Sequence, residues 1–247
     1  MKMNRLLNLT IVTFLALLVA CGEKEGDRSG FEEATVVAQQ VNGENLMNSV
    51  AELVDIHLND IPIDNSECPP GDLFPTDHLT RNAAVGYISE EFRKMGYIPD
   101  TAVLGEGAYI TYNVFAEWPG TSDAEEVILV GSHLDAFYGG ADDNTSAVAA
   151  MLEAARIARN FSFSHTIRFI AFDLEELGSI GSTRYVEGGL AGDVKTAIVM
   201  DLIGYRSFEP GSQKSVMGIR LPDVGDYLMV IGNRDSEEIT RQITDMA

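Results

Sequence analysis

The stretch EEVILVGSHLDAFYGGADDNTSAVAAMLEAARIARN, Glu125–Asn160, has the pattern of a strand, a polar turn and a helix in immediate succession. Its first residues form a short apolar run, which is typical of a strand buried on both faces. From Thr145 onward, alanine and larger apolar residues recur at helical spacing. Between these two parts, one histidine and three aspartates fall within eleven residues, from His133 to Asp143. The stretch therefore predicts an α/β fold with an acidic, histidine-bearing turn after a strand.

The rest of the chain continues this alternation of helices and strands. Segments with helical spacing of apolar residues are separated by short runs that are apolar or strictly alternating. We predict helices over Glu32–Leu58, Asn82–Met95, Thr145–Asn160 and Gly181–Glu187, and strands over Ala108–Gly120, Glu125–His133, His165–Phe172 and Lys195–Tyr205. This order predicts an α/β domain whose mixed, mostly parallel sheet is flanked by helices on both faces.

The N-terminal region has the features of an export signal. Lys2 and Arg5 precede an apolar run, residues 6–20, that is too short to span a membrane comfortably. The run ends in Leu-Val-Ala-Cys, residues 18–21, which resembles the bacterial lipobox and implies cleavage before Cys21 and acylation of that residue. The alternatives are an uncleaved anchor, or an ordinary signal sequence in which the cysteine is incidental.

The lipobox divides the chain into a signal peptide (1–20), a polar tether (21–31) and a folded domain (32–247). Several acyl chains at Cys21 give lasting attachment to a membrane, because a single chain holds only marginally. The residue after Cys21 is glycine, where an aspartate would often retain a lipoprotein in the inner membrane. For a Gram-negative host we therefore expect an exported, lipid-anchored protein of the cell envelope, at the outer membrane and facing the periplasm or the exterior.

The charge and the cysteine content of the chain argue against a nucleic-acid partner and against an intrachain disulfide bond. Thirty-eight acidic residues against 17 basic ones give a formal net charge of −21. Such a surface repels phosphate backbones, so we expect no nucleic-acid partner. The chain has two cysteines, and if Cys21 carries lipid, Cys68 has no partner for an intrachain disulfide bond.

Residues with metal-binding side chains come at the ends of predicted strands in four separate segments. They are His133, Asp143, the pair Glu175 and Glu176, and Asp201. Taken alone, a lone histidine is more often a surface or a satisfied core residue than a ligand. An aspartate before a helix is usually a cap, and a glutamate pair after a strand is usually solvated. In open α/β sheets, however, the carboxyl ends of the strands form the ligand-binding edge, and several carboxylates gathered there without cations are costly. The pattern therefore predicts one or two divalent metal ions, and imidazole with carboxylates suits zinc.

Five blocks of the chain occur in an order and at a spacing typical of one enzyme family. They are NVFAEWPG, GSHLD, GGADDNTSAVAAMLEAAR, TIRFIAFDLEELGSIGS and VMDLIGY. In this order they resemble the zinc-dependent aminopeptidases that share a fold with plasma glutamate carboxypeptidase and glutaminyl cyclase. The resemblance covers about Asn82 to Tyr205, and more weakly MVIGN, residues 229–233, for which it implies a further strand. It implies that residues 32–247 form a metallopeptidase catalytic domain, a three-layer sandwich that acts on peptides.

The resemblance also implies which residues bind metal. His133 and Asp201 are implied ligands of one zinc ion, Glu176 is an implied ligand of a second, and Asp143 is the implied bridge between the two. Asp142, next to the bridge, is predicted to be a loop or cap carboxylate, and the alternative is that Asp142 is itself a ligand in place of its neighbour. The other three histidines lie outside the five blocks and are predicted to be structural: His57, His78 and His165.

Two more residues have implied roles in the reaction, which is the removal of N-terminal residues from peptides. Glu175 is the implied general base, which takes a proton from a water held between the two zinc ions. Asp135 is the implied partner that orients the imidazole of His133. A glutaminyl-cyclase-like enzyme, a carboxypeptidase and a dipeptidase remain alternatives on the same scaffold.

The chain departs from the family pattern in one respect. The family's second zinc ion has one more ligand, a downstream histidine in a Ser-Asp-His context, whereas no histidine follows His165. We therefore expect a C-terminally truncated domain that holds one zinc ion well, through His133, Asp143 and Asp201, and the other poorly. The alternative is a metal-poor relic, a non-catalytic surface lipoprotein that binds peptides or other partners.

Overall fold

The computed structural model describes residues 36–63, 78–213 and 221–246. The predicted signal peptide (1–20), tether (21–31) and lipidation site at Cys21 lie outside these ranges, as does Cys68. Within the described ranges, no helix is both long enough and apolar enough to cross a membrane.

The secondary structure alternates as the sequence predicts. The helices are α1 (Gly43–Asn59), α2 (Asn82–Lys94), α3 (Thr145–Ala158), α4 (Ile180–Glu187) and α5 (Glu237–Met246). The strands are β1 (Leu79–Thr80), β2 (Asp100–Leu104), β3 (Thr111–Trp118), β4 (Asp123–His133), β5 (Ala136–Phe137), β6 (His165–Phe172) and β7 (Val194–Val199).

Five of the strands form one mixed sheet in the order β2-β3-β6-β4-β7. Strand β4 runs parallel to both β6 and β7, and β3 runs antiparallel to both β2 and β6. The predicted mixed, mostly parallel sheet is thus confirmed, since β2, β6, β4 and β7 run in one direction and β3 runs in the other. The physical reason is the length of the connections, since β4, β6 and β7 are joined through helices, whereas the short link between β2 and β3 permits only an antiparallel pair.

Helices cover both faces of this sheet, as predicted. Helices α1, α2 and α3 lie on one face, where Val130 and Phe169 belong to the main apolar core. Helix α4 lies on the opposite face, where Leu129 and Ile170 pack with Tyr185. Adjacent residues of β4 and of β6 thus point to opposite cores, which is the alternation that a strand imposes on its side chains.

Helix α3 is the most deeply buried helix of the described chain. Thirteen of its 14 residues are buried, and its many alanines let it lie close to both α1 and β4. Its buried Glu153 accepts a hydrogen bond from the backbone nitrogen of Asn42 (2.7 Å) and pairs with Arg156. The first residues of α3, Thr145 and Ser146, are buried as well, and Asp143 lies two residues before the helix.

Helix α1 begins later than the prediction of a helix over Glu32–Leu58. Asn42 caps it, because its side-chain oxygen accepts hydrogen bonds from the backbone nitrogens of Glu44 (2.9 Å) and Asn45 (3.4 Å). A separate helical turn covers residues 36–38. The single long helix is therefore wrong in its N-terminal part.

Two strand predictions near the C-terminus are also corrected. Strand β7 ends at Val199 instead of continuing to Tyr205. The run Met229–Asn233 is not a strand, and two of its apolar side chains, Met229 and Ile231, are exposed. A strand forms only where a neighbour satisfies its backbone groups, and no described strand pairs with this run.

Candidate metal centre

Three of the predicted metal ligands meet at one edge of the sheet. His133 is the last residue of β4, Asp143 lies just before α3, and Asp201 lies two residues after β7. Nε2 of His133 is 3.1 Å from Oδ1 of Asp143 and 3.6 Å from Oδ1 of Asp201. One ligand atom from each residue lies within 4.8 Å of the others. Ligand atoms around a tetrahedral zinc ion are about 3.4 Å apart, so these separations suit such an ion.

The ring of His133 provides an independent test of whether a cation fits this triad. The side chain is only 4% exposed, and its Nδ1 lies 3.0 Å from the backbone oxygen of Asp135, to which a proton on Nδ1 can be donated. Nε2 then carries a lone pair, and this buried atom has no hydrogen-bond partner in the described structure. A buried lone pair that faces two carboxylates is unfavourable unless a cation lies between them. The donor set therefore fits a divalent metal, with zinc favoured by imidazole and carboxylate ligands.

The electrostatics of the triad favour a positive charge at the same place. Burial alone lowers the pKa of His133, but the carboxylates of Asp135, Asp143 and Asp201 outweigh burial and raise this pKa to about 12. The site thus attracts a proton strongly. A histidine must be unprotonated to bind a metal, so a bound cation takes the place of that proton.

Asp135 connects the histidine to the segment that bears the two glutamates. Its carboxylate is fully buried and accepts hydrogen bonds from the backbone nitrogens of Glu175 (3.0 Å) and Glu176 (3.1 Å). Its Oδ1 lies 3.5 Å from Nδ1 of His133, whereas its backbone oxygen lies 3.0 Å from the same nitrogen. The backbone of Asp135 thus contacts the imidazole more closely, while its carboxylate fixes the turn that carries Glu175 and Glu176. Sequence reasoning missed this second contact.

Glu175 and Glu176 occupy different positions relative to the triad. Oε2 of Glu175 lies 3.9 Å from Nε2 of His133, and its Oε1 accepts a hydrogen bond from the hydroxyl of Ser179 (3.1 Å). Burial raises the pKa of Glu175, and this effect is larger than the lowering of the same pKa by the positive charge of His133. Burial also raises the pKa of Glu176, to about 7, with the negative charges of Asp143 and Asp135 adding to the effect. Glu176 does not join the metal-ligand triad of the described residues.

A turn over residues 173–181 holds the two glutamates in place. Its ends are joined by a hydrogen bond from the backbone nitrogen of Gly181 to the backbone oxygen of Asp173 (2.9 Å). A Cβ at Gly181 would lie 2.1 Å from that oxygen, so only glycine permits this approach. The Asp173 carboxylate is buried, pairs with Arg81 and accepts the backbone N–H of Tyr112 (2.8 Å). Neither Arg81 nor Asp173 was singled out from the sequence.

Strained backbone is concentrated around the same residues. In the described chain, the non-glycine residues with positive φ are Tyr138 (57°), Leu174 (55°), Ser179 (58°) and Leu202 (51°). Each lies in a segment that carries predicted site residues, and Leu174 and Leu202 are direct neighbours of Glu175 and Asp201. Such conformations are rare for large side chains and persist only where surrounding contacts enforce them, which is common at functional sites.

The remaining histidines have structural contacts and lie outside the triad. Nδ1 of His57 lies 2.9 Å from the hydroxyl of Thr80, on the ribbon that β1 forms with β5. His165 contacts Glu126 at the amino end of the sheet (3.0 Å). The ring of His78 stacks on Tyr138, with ring centroids 4.4 Å apart.

The family of the chain follows from a comparison of its sequence with models of known families. The model described as peptidase family M28 matches residues 113–245, more than half of the chain. The chain belongs to peptidase family M28. The matched region contains every residue predicted for the metal site and the reaction: His133, Asp135, Asp143, Glu175, Glu176 and Asp201.

Several known proteins share about a third of their aligned residues with the chain. Uncharacterized protein YfbL of Escherichia coli is 31% identical over 68% of the chain and 56% of its own length. Leupeptin-inactivating enzyme 1 of Streptomyces exfoliatus is 32% identical over 51% of the chain and 28% of its own length. Aminopeptidase YwaD of Bacillus subtilis is 38% identical over 36% of the chain and 20% of its own length. The chain therefore spans from a fifth to just over half of these relatives.

Solved structures support the same fold. The LapA aminopeptidase of Legionella pneumophila superposes with a TM-score of 0.56 at 18% identity, over 74% of this chain and 49% of LapA. A glutaminyl cyclase of Bacteroides thetaiotaomicron superposes with a TM-score of 0.50 at 15% identity, over 69% of this chain and 64% of the cyclase. At these identities the likeness concerns the fold alone.

Proposed function

We propose that this M28 protein is a zinc aminopeptidase, a metallopeptidase that removes residues from the N-termini of peptides. The observation that carries the proposal is the buried, unpartnered Nε2 of His133, which faces Asp143 and Asp201 with Glu175 beside it. Support also comes from relatives at 31–38% identity, among them one named an aminopeptidase. We extend the proposal to two zinc ions, and Asp143 and Glu176 are the residues that would hold the second.

The residues of the triad would hold the first ion. His133 supplies a neutral nitrogen, and Asp143 and Asp201 supply two negative charges that match a divalent cation. When bound, zinc supplies a Lewis acid that lowers the pKa of a water and polarises the carbonyl of the scissile bond. Zinc ligation also requires the imidazole to keep one orientation, which the contact between Nδ1 of His133 and the backbone oxygen of Asp135 provides.

Glu175 moves the proton. Its Oε1 is held by the hydroxyl of Ser179, and its Oε2 points toward the triad, 3.9 Å from Nε2 of His133. We assign to this second oxygen the acceptance of a proton from the attacking water and its transfer to the leaving amine. The Asp135 carboxylate holds the backbone of Glu175 and Glu176. In this proposal Glu175 would act as the base, and Glu176 would serve the second ion.

A hydrolysis assay with the purified protein tests the proposal. Aminoacyl p-nitroanilides with a free amino group should release nitroaniline, and the same compounds with an acetylated amino group should not. Incubation with 1,10-phenanthroline should abolish the reaction, and added zinc should restore it. Release of C-terminal residues would indicate a carboxypeptidase, and pyroglutamate formed from N-terminal glutamine would indicate a cyclase. Hydrolysis that is indifferent to the chelator would contradict the metallopeptidase proposal.

We also propose that the protein is exported and anchored by lipid at Cys21 in the cell envelope. The support is the basic start, the apolar run and the lipobox-like end of residues 1–21. In cells, the wild-type protein should sediment with membranes and partition into the detergent phase of Triton X-114. The variant Cys21→Ser should lose detergent partitioning, because it lacks the thiol that is acylated. Wild-type protein found only in the aqueous phase would refute anchoring.

A further inference from the structure

The side chains on either side of Asp143 both bind the segment that carries Asp201. Asn144, which is buried, donates a hydrogen bond from Nδ2 to the backbone oxygen of Met200 (3.1 Å). Its Oδ1 accepts a hydrogen bond from the backbone nitrogen of Leu202 (3.3 Å). Asn144 therefore holds the residue before Asp201 and the residue after it.

Asp142 binds the same segment a few residues farther along. Its Oδ1 accepts hydrogen bonds from the backbone nitrogens of Gly204 (2.7 Å) and Tyr205 (3.0 Å). Its backbone oxygen accepts a hydrogen bond from the hydroxyl of Ser146 (2.8 Å), in the first turn of α3. Asp142 therefore links the segment after Asp201 to the buried helix α3.

The two chain segments approach each other so closely that a glycine is required. A Cβ added at Gly204 would lie 2.8 Å from Cβ of Ser146 and 3.0 Å from Oδ1 of Asp142. Any side chain at this position would push the segment away from Asp142. We call the four hydrogen bonds of Asp142 and Asn144 to residues 200–205 the Asp142–Asn144 clamp.

Asp201 depends on contacts of this kind for its position. It lies beyond the end of β7, its side chain is 53% exposed, and the next residue, Leu202, has a strained φ of 51°. Asp143 lies two residues before α3, whose first residues, Thr145 and Ser146, are buried. The separation between the two carboxylates is thus set by how residues 200–205 are tied to residues 142–144.

We propose that Asp142 is a positioning residue for the metal site, which acts through Asp201 and does not contact the ion. This proposal rests on the proposed zinc site. The Asp142–Asn144 clamp holds Asp201 at a distance from His133 and Asp143 that lets all three bind one ion. Preorganised ligands bind a metal more tightly because less order is lost on binding. Removing the Asp142 carboxylate should therefore weaken zinc binding by about 10–100-fold, the loss typical of groups that orient metal ligands.

Three variants, measured by zinc competition against a chromophoric chelator, test the inference. Asp142→Ala should weaken zinc affinity by about 10–100-fold. Asp142→Asn keeps an Oδ1 acceptor for both backbone nitrogens, so it should retain nearly wild-type affinity. The matched control is Asp60→Ala, because one oxygen of Asp60, Oδ2, also accepts two backbone N–H groups, from Arg81 and Ala83 at the start of α2 (both 3.0 Å). This control should lower thermal stability without changing zinc affinity.

The Co²⁺-substituted proteins give a second readout that a purely structural role of Asp142 would not change. The visible d–d absorption should differ from wild type in Asp142→Ala and match wild type in Asp142→Asn and Asp60→Ala. If Asp142→Ala fails to fold, Asp142→Ser takes its place, since the shorter hydroxyl cannot reach both nitrogens.

Three results would contradict either the positioning role of Asp142 or the zinc site itself. Equal zinc affinity in wild type and Asp142→Ala would overturn the positioning role while leaving the zinc site intact. A loss in Asp142→Asn as large as in Asp142→Ala would overturn it too, because the effect would then come from charge and not from the hydrogen bonds. A wild-type protein that binds no zinc would overturn the proposed function and this inference with it.

Discussion

The variant Glu175→Gln is expected to lose about 10²–10⁴-fold in kcat while it binds zinc as wild type does. Glutamine has nearly the same shape and can still accept the hydrogen bond of Ser179, but its amide cannot take a proton from water. Since Glu175 lies 3.9 Å from Nε2 of His133 and is absent from the ligand triad, its replacement should leave the first ion in place. The measurement is steady-state hydrolysis of an aminoacyl arylamide, together with zinc content.

Glu126→Gln is the matched control for this variant. Glu126 lies near the amino end of β4, at the opposite edge of the sheet, where it contacts His165 and Lys195. The same change from carboxylate to amide should leave kcat there unchanged. If Glu175→Gln hydrolyses the substrate at the wild-type rate, Glu175 is not the base. If it loses its zinc together with its activity, it acts as a ligand instead.

The variant His133→Ala should lose the high-affinity zinc site. The change removes the nitrogen ligand and leaves only the Asp143 and Asp201 carboxylates of the triad. The loss of affinity should exceed the roughly 10–100-fold typical of outer partners, because a direct ligand is removed. Zinc competition against a chromophoric chelator measures this loss, and hydrolysis of arylamides should disappear with it.

His165→Ala serves as the control for loss of a histidine, because His165 lies at the amino end of β6 and contacts Glu126. Its zinc affinity should equal that of wild type. Equal affinity in His133→Ala and wild type would place the metal elsewhere and remove the main support for the proposed function.

The meeting of His133, Asp143 and Asp201 could be anticipated from sequence because all three adjoin parallel strands or the helix that joins them. The carboxyl ends of β4, β6 and β7 lie at one edge of the sheet, so residues that follow them are brought together whatever the details of the loops. Strands β4 and β6 and helix α3 could be predicted for a similar reason. Their continuous apolar or alanine-rich sequences indicate elements that are buried on more than one side.

The hydrogen bonds that position the site residues could not be predicted from the sequence. The bonds from the Asp135 carboxylate to the backbone of Glu175 and Glu176 join residues 40 and 41 positions apart, and those from Asp142 to Gly204 and Tyr205 join residues 62 and 63 apart. No local periodicity encodes such pairs, because each depends on how two loops are placed by the finished sheet. The overlong prediction for β7 has a similar origin, because an apolar run does not reveal where its hydrogen-bonding neighbour ends.

The zinc content of the purified wild-type protein is the most direct test of the proposed zinc site. The protein would be stripped with a chelator, dialysed against zinc and analysed by inductively coupled plasma mass spectrometry, with His133→Ala prepared in parallel. We expect at least one tightly held zinc ion per wild-type chain and the loss of that ion in His133→Ala. Wild-type protein with no retained zinc, or with the same zinc content as His133→Ala, would contradict the proposed zinc site.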